Sequence, residues 1–185
     1  MMILKGSQVI ETWPEESREA AALVIKKYGE PDEVTDSLLI WNNPGPWKKM
    51  IAHKYHVRHD FPAPHVDAVE SFVDYRVPAE KFDDLAEFDG SVIVERTAGV
   101  MSARCHDEEA NFLALNLADD IVKGKKSARE AREYYAHEFI AYREKEPTPY
   151  MNGLRFKPGG GTKDPDERLL SDEDLEAAVD RGRQK

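Results

Sequence analysis

The amino-acid sequence predicts an α+β fold, with a mostly antiparallel sheet of about five strands, helices packed mainly on one face and an extended C-terminal tail. Apolar runs joined in pairs by turn-forming residues indicate β-hairpins, which argue against a doubly wound parallel sheet. Two long segments with helical apolar periodicity follow the last hairpin and can cover such a sheet. After Pro147 the chain becomes rich in proline and glycine, which is typical of a tail.

Length and composition favour one folded domain. The chain has 185 residues, of which 41% are hydrophobic and 34% charged, and these values are typical of a globular protein. We expect the domain to span residues 1–146 and the tail to span 147–185. In the tail we expect a docking segment at 147–156, a Gly-rich hinge at 158–166 and a short helix at 171–181, whose apolar face is too small for independent stability.

The first long helix is predicted to begin after Thr12, which we interpret as its N-cap. Pro14 would then lie in the first turn, and Glu15 would complete a capping box. Gly29 is expected to end the helix. Residues on one side of this helix are apolar at spacings of three and four, namely Ala21, Val24, Ile25 and Tyr28.

Three strands are predicted after this helix. Two apolar and aromatic runs, 38–41 and 47–57, are expected to pair as a hairpin because turn-forming residues separate them. The segment 61–64 contains two prolines, so it is expected to be a loop or an edge segment. The third strand is predicted to end before Pro78, and its apolar residues share one face, namely Val69, Val73, Tyr75 and Val77.

A short helix is predicted over residues 79–88, and the best-defined hairpin follows over 91–105, with Ala98-Gly99 at its tip. Apolar and polar residues alternate in its strands, so one face belongs to the core and the other faces water. The residues expected on the core face are Val92, Val94, Met101, Ala103 and Cys105.

Capping signals define the last two helices of the predicted domain. Asp107 is expected to cap a helix with an acidic first turn, and Lys123-Gly124 ends it. Ser127 and Glu130 form a capping box that begins a helix running through Arg143. Because the connection between these helices is short, we expect them to pack antiparallel.

The overall charge disfavours nucleic acid and membrane partners. Thirty-six acidic residues against 26 basic ones give a net charge of −10, which repels phosphate backbones and anionic lipid surfaces. No apolar run approaches the roughly 20 residues of a transmembrane helix. Cys105 is the single cysteine, and we expect it to be a buried, inert thiol. These features favour a cytoplasmic protein.

A cluster of histidines is the most suggestive chemical feature of the sequence. Four of the six histidines lie between positions 53 and 65, close to two carboxylates. The cluster comprises His53, His56, His59, Asp60, His65 and Asp67. Imidazole and carboxylate ligands together suit zinc, manganese or iron.

Strand geometry limits which of these side chains can share one ion. On a straight strand His53 and His59 would lie on one face but roughly 20 Å apart, at ~3.3 Å per residue. The loop at 61–64 can fold His65 back towards His59, and Asp67 would point the same way as His65 if the segment is extended. The predicted metal ligands are therefore His59, His65 and Asp67.

The leading functional hypothesis is a non-enzymatic, soluble binding or protein-interaction domain that self-associates as a homo-oligomer or binds a protein partner and needs no cofactor. The sequence contains neither a P-loop nor a nucleophile elbow, and the apolar residues after Pro147 need burial. The alternative is a small metal-dependent or acid/base enzyme that uses the His/Asp cluster around residues 59–67 with a divalent transition metal. Because the sequence has no HExxH or CxxC motif, histidines exposed or hydrogen-bonded at the rim of the sheet remain the competing interpretation of that cluster.

Overall fold

The computed structural model describes residues 5–159 and 166–184, and within these residues the strands form one antiparallel sheet. The strands are Glu33–Val34 (β1), Leu38–Asn42 (β2), Lys49–His59 (β3), His65–Asp74 (β4), Val92–Glu95 (β5) and Val100–Cys105 (β6). Their order in the sheet is β1-β2-β3-β4-β6-β5. The α+β prediction is confirmed, with one more strand than expected because the two-residue β1 pairs with β2 at the sheet edge.

The helices of the described residues lie mainly against one face of this sheet. They are Gly6–Val9 (α1), Glu15–Tyr28 (α2), Phe82–Phe88 (α3), Glu108–Val122 (α4), Ala128–Arg143 (α5) and Asp172–Arg183 (α6). Helices α2 and α4 pack on the central strands, and α5 packs on α3 and α4. No helix in the described residues is both long and apolar enough to cross a lipid bilayer.

Helix α2 begins later than the sequence predicts. Its N-cap is Pro14, and the prediction of Thr12 as the N-cap was wrong. The Thr12 hydroxyl instead donates to the Val9 carbonyl at 3.0 Å, so it is used by the preceding turn. The helix ends at Tyr28, and Gly29 is its C-cap, as expected. Gly29 has a φ of 85°, a conformation that glycine adopts without strain.

The predicted pairing of the strands is confirmed in both hairpins. Strand β2 pairs with β3, and β5 pairs with β6 so that Val92 faces Ala103 and Val94 faces Met101. Strand β4 begins at His65, before the apolar residues that predicted it, and ends at Asp74, so the expectation that it continues through Val77 was wrong. The Pro-containing segment between β3 and β4 is a loop, as expected.

Local capping signals position the two helices that follow β6. The Asp107 side chain accepts a hydrogen bond from the Ala110 backbone N–H at 2.9 Å, and Ser127 and Glu130 form the reciprocal capping box. Both predicted N-caps are confirmed. On α4, Asn111 donates to the Val69 carbonyl at 3.0 Å, which fixes the helix over the centre of the sheet.

A buried carboxylate connects α2 and the β2–β3 turn to the start of α4. Glu108, which is 6% exposed, accepts hydrogen bonds from Lys27 and Tyr28 and from Trp47 Nε1 at 2.6 Å. These three donors compensate for the burial of its charge. We therefore interpret Glu108 as a structural anchor.

The first part of the tail packs against the domain. Met151 is 4% exposed and belongs to the hydrophobic core. The Asn116 side chain donates to the Tyr150 and Gly153 carbonyls at 2.9 and 2.8 Å, and it accepts from the Arg155 backbone N–H at 2.7 Å. Residues 160–165 of the expected hinge lie outside the described residues, and no residue of α6 is buried.

Candidate metal site

The two histidines predicted as metal ligands are direct neighbours across two strands. His59 ends β3 and His65 begins β4, and they are the last pair of the β3–β4 ladder. The loop between them returns the chain, so the centroids of the two imidazole rings are 5.0 Å apart. The side chains therefore reach a common space at one end of the sheet.

The third predicted ligand points into the same space. Asp67 lies two residues after His65 on the same face of β4 and is 1% exposed. Its Oδ1 is 3.1 Å from His65 Nε2, and its Oδ2 is 3.5 Å from His59 Nδ1. One ligand atom from each of the three residues lies within 4.8 Å of the others. Two ligand atoms at ~2.1 Å from a tetrahedral zinc are roughly 3.4 Å apart, so this group could hold a metal ion.

One oxygen of Asp67 has no hydrogen-bond partner within the described residues. The Oδ2 atom accepts from the Ser91 hydroxyl, whereas the buried Oδ1 has no well-aligned hydrogen bond within the described residues and has His65 Nε2 as a polar neighbour at 3.1 Å. An unsatisfied buried oxygen costs about 1–3 kcal/mol, and more when it is charged. A cation at this position would supply the missing interaction.

A second buried carboxylate, Asp89, stands beside the three residues. It is 1% exposed, accepts from the Ser91 backbone N–H at 2.8 Å and lies 3.9 Å from His59 Nε2. Burial raises the pKa of Asp89 above its usual value, and the nearby charge of Asp67 adds to this effect. From the sequence, Asp89-Gly90 is predicted only as the end of a helix. Asp89 and Ser91 reach the site because β5, which follows them, pairs with β6, and no local sequence pattern reveals this pairing.

Hydrogen bonding fixes the orientation of the His65 ring. Its Nδ1 lies 2.9 Å from the Ala63 carbonyl, which can only accept, so Nδ1 carries a proton and Nε2 faces Asp67. Burial alone would lower the pKa of His65, but the Asp67 carboxylate and the Ala63 carbonyl outweigh it and raise that pKa. A backbone carbonyl on the outer nitrogen is a common partner of metal-binding histidines.

A pocket of about 320 Å³ adjoins the site at His65. Its walls include three aromatic residues of α5, Tyr135, Phe139 and Tyr142. His106 and Arg143 also line it. The cluster of candidate ligands is thus next to a space in which a small molecule can lie.

The remaining histidines of the cluster lie elsewhere. His53 Nε2 is 3.5 Å from Glu70. Glu70 pairs with Ile51 and Arg104 on the neighbouring strands, and its side chain lies on the sheet face away from α4. The expectation that His53 and His59 share a face was wrong, because the β3–β4 register shifts between Ala52 and Val57. When an irregularity adds an odd number of residues to one strand, the side chains after it point to the opposite face from the one that simple alternation predicts.

His56 and Cys105 are also placed by the structure. His56 Nδ1 lies 2.9 Å from the Ser17 hydroxyl of α2. Cys105 is 1% exposed, and burial raises the pKa of its thiol well above the usual value. The thiol is therefore protonated, which is consistent with the expected inert cysteine.

Comparisons of the chain with protein-family models, with curated proteins and with solved structures found no match.

Proposed function

We propose that the protein is a small metal-dependent enzyme that binds one divalent transition-metal ion through His59, His65 and Asp67. The observation that carries the proposal is the buried Oδ1 of Asp67, which has no hydrogen bond in the described residues and lies 3.1 Å from His65 Nε2. Natural proteins rarely bury a carboxylate oxygen without a partner. Two imidazoles and a carboxylate suit zinc, iron(II) or manganese.

The surroundings of both histidines support this assignment of ligand atoms. The Ala63 carbonyl holds Nδ1 of His65 and leaves Nε2 to the ion. Asp89 lies on the Nε2 side of His59, so Nδ1 of His59 is the nitrogen that faces Asp67. Carboxylates and carbonyls behind metal-binding imidazoles set their orientation and raise their basicity.

An open coordination sphere favours catalysis over a purely structural role. Structural zinc sites normally have four protein ligands, whereas catalytic sites have three and leave a position for water or substrate. His59 and His65 keep 19% and 16% of their side chains exposed, and His65 lines the adjoining pocket. A metal ion there would act as a Lewis acid or lower the pKa of a bound water.

The hypothesis of a self-associating interaction domain stays a prediction. Its main support was the need to bury the apolar residues after Pro147. Met151 is in the core of its own chain, and Tyr150, Leu154 and Phe156 pack against that core. These residues therefore no longer require a partner, and the metal centre is the better-supported function.

Metal titration of the purified protein tests the proposal. Zn²⁺ and Co²⁺ should bind with a stoichiometry of one, and Co²⁺ should give the visible absorption of a nitrogen- and oxygen-ligated ion. Asp67→Asn should weaken binding by about 100-fold or more, because loss of a ligand should cost at least as much as loss of a residue that orients a ligand, which costs about 10–100-fold. Asp60→Asn is the matched control, because Asp60 is exposed and, among the residues that the structure describes, forms an ion pair only with Arg58.

Two results would overturn the proposal. One is wild-type protein that binds no Zn²⁺, Mn²⁺ or Fe²⁺ at stoichiometric concentrations. The other is a metal affinity of the Asp67→Asn protein that equals the affinities of the wild-type protein and of the Asp60→Asn control.

A further inference from the structure

The pocket beside His65 has an aromatic wall. Tyr135, Phe139 and Tyr142 project from one side of α5 at spacings of four and three residues, which places them in one row. The pocket volume of about 320 Å³ is at the small end of the range for ligand sites, roughly 300–1,000 Å³. A flat ring with one short substituent is the kind of molecule that such a row accommodates.

Two polar side chains of the pocket are free to bind a ligand. His106 and Arg143 make no hydrogen bond or ion pair with any described residue, although the Arg143 guanidinium lies 4.5 Å from the Phe139 ring centroid. Asp107 also lines the pocket, but its carboxylate caps α4 at Ala110. Arg143 is thus a permanent cation at this pocket that forms no ion pair with a carboxylate of the described residues, although the Asp107 carboxylate lines the same pocket.

The combination of an aromatic wall, an arginine without an ion pair and a neighbouring candidate metal site indicates the ligand class. We propose that the pocket binds a small aromatic monocarboxylate as the substrate of the metal centre, an inference that rests on the proposed function. The ring lies against Tyr135, Phe139 and Tyr142, and the carboxylate binds Arg143 and His106. The opposite end of the ring then points towards His65 and the ion.

The chemistry of the pocket disfavours other small ligands. An inorganic anion would leave the aromatic wall in contact with water, which forfeits apolar burial. A neutral aromatic molecule would leave the guanidinium without the charge-assisted, two-pronged hydrogen bonding that carboxylates offer. Because the whole protein carries a net charge of −10, affinity for an anion has to come from local groups such as Arg143.

Titration with benzoate, followed by ligand-detected NMR, tests the inference. Benzoate should bind wild-type protein, and benzamide, its neutral analogue, should bind at least ~10-fold more weakly. Arg143→Gln should weaken benzoate binding by a similar factor of ~10 without changing benzamide binding. Arg129→Gln is the control, because Arg129 lies on the same helix and its one ion pair in the described part of the chain is with exposed Glu133. Arg143 is exposed, so its variant should fold, and a thermal melt verifies this.

The same titration on Asp67→Asn protein separates the two proposals. Benzoate binding that depends on Arg143 but persists in Asp67→Asn supports the pocket, even if metal titration finds no ion and the proposed function fails. Zn²⁺ binding without detectable benzoate binding overturns the pocket inference alone. Benzoate binding that is unaffected by Arg143→Gln also overturns the pocket inference. If Asp67→Asn abolishes such binding, the benzoate carboxylate binds the metal ion instead of Arg143.

Discussion

His59 and His65 face each other as the final cross-strand pair of β3 and β4, with ring centroids 5.0 Å apart. The connection between them is a short loop that contains the sequence Phe61-Pro62-Ala63-Pro64. A ligand bound by both rings would join the ends of two central strands. Binding at this position therefore has a consequence for stability as well as for chemistry.

Metal binding should stabilise the folded protein. A ligand at 100 times its dissociation constant adds about 2.7 kcal/mol to the free energy of unfolding. For a chain of this size, this corresponds to a rise in Tm of about 5–11 °C. Calorimetry with Zn²⁺ should show the rise, and Mg²⁺, which prefers oxygen ligands, should have little effect. An equal response to both ions would argue against ligation by His59 and His65.

Asp67→Asn should have opposite effects on metal binding and on metal-free stability. The substitution removes a buried negative charge. The new side-chain amide can donate to His65 Nε2, which lies 3.1 Å from Asp67 Oδ1, an atom without a well-aligned hydrogen bond to any described residue. The amide oxygen can still accept from Ser91, as Asp67 Oδ2 does. At pH 8 with a chelator, the variant should therefore be as stable as wild type or up to ~3 kcal/mol more stable.

Urea denaturation with and without EDTA measures this effect. A variant that is strongly destabilised in the absence of metal would show that the Asp67 charge is satisfied by the protein itself. The argument for a cation at Oδ1 would then fail.

The parts of the fold that were predictable from sequence depend on local chemistry. Asp107 and Ser127 were recognised as N-caps because a capping side chain bonds to backbone groups only a few residues away. The faces of β5 and β6 were predictable because alternation along a strand is a two-residue pattern. Thr12 carries the same kind of capping signal, with Glu15 three residues later, but it is not the N-cap because its hydroxyl donates to the Val9 carbonyl.

The parts of the site that were not predictable depend on distant segments. His65 and Asp67 were found because they lie close to His59 in sequence. Asp89 and Ser91 reach the site only through the position of β5 beside β6. The irregular register of β3, which separates His53 from His59, follows from pairing with β4 and has no single-residue signal in the sequence.

The docking segment, residues 147–156, should be released by a change in α4. Asn116→Ala removes the hydrogen bonds to Tyr150, Gly153 and Arg155, and at about 1 kcal/mol each their loss should cost about 2–4 kcal/mol. Trypsin cleavage after Arg155 should become faster. Asn152→Ala is the matched control, since Asn152 is exposed in the same segment and should change stability by less than ~0.5 kcal/mol. Equal cleavage of both variants would contradict the role of Asn116.

Glu70 should make the stability of the protein depend on pH in the acidic range. It lies among His53, Ser102 and Arg104 on the sheet face opposite α4. Burial alone would raise its pKa, but His53, Ser102 and Arg104 outweigh burial and lower the pKa below the usual value of 4.5. Because the folded state binds this proton less tightly than the unfolded state, the charged Glu70 stabilises the fold above pH 4.5.

This contribution should disappear as the pH falls from 4.5 through the lower pKa of the folded state, since protonation then removes the interactions with His53, Ser102 and Arg104. Glu70→Gln cannot undergo that loss, so the stability difference between wild type and variant should shrink as the pH falls from about 5.5 to below 4.5. Glu95→Gln, at an exposed position of β5, is the control and should follow wild type. Urea denaturation across this pH range measures the difference, and a gap between wild type and Glu70→Gln that widens on acidification would contradict the lowered pKa.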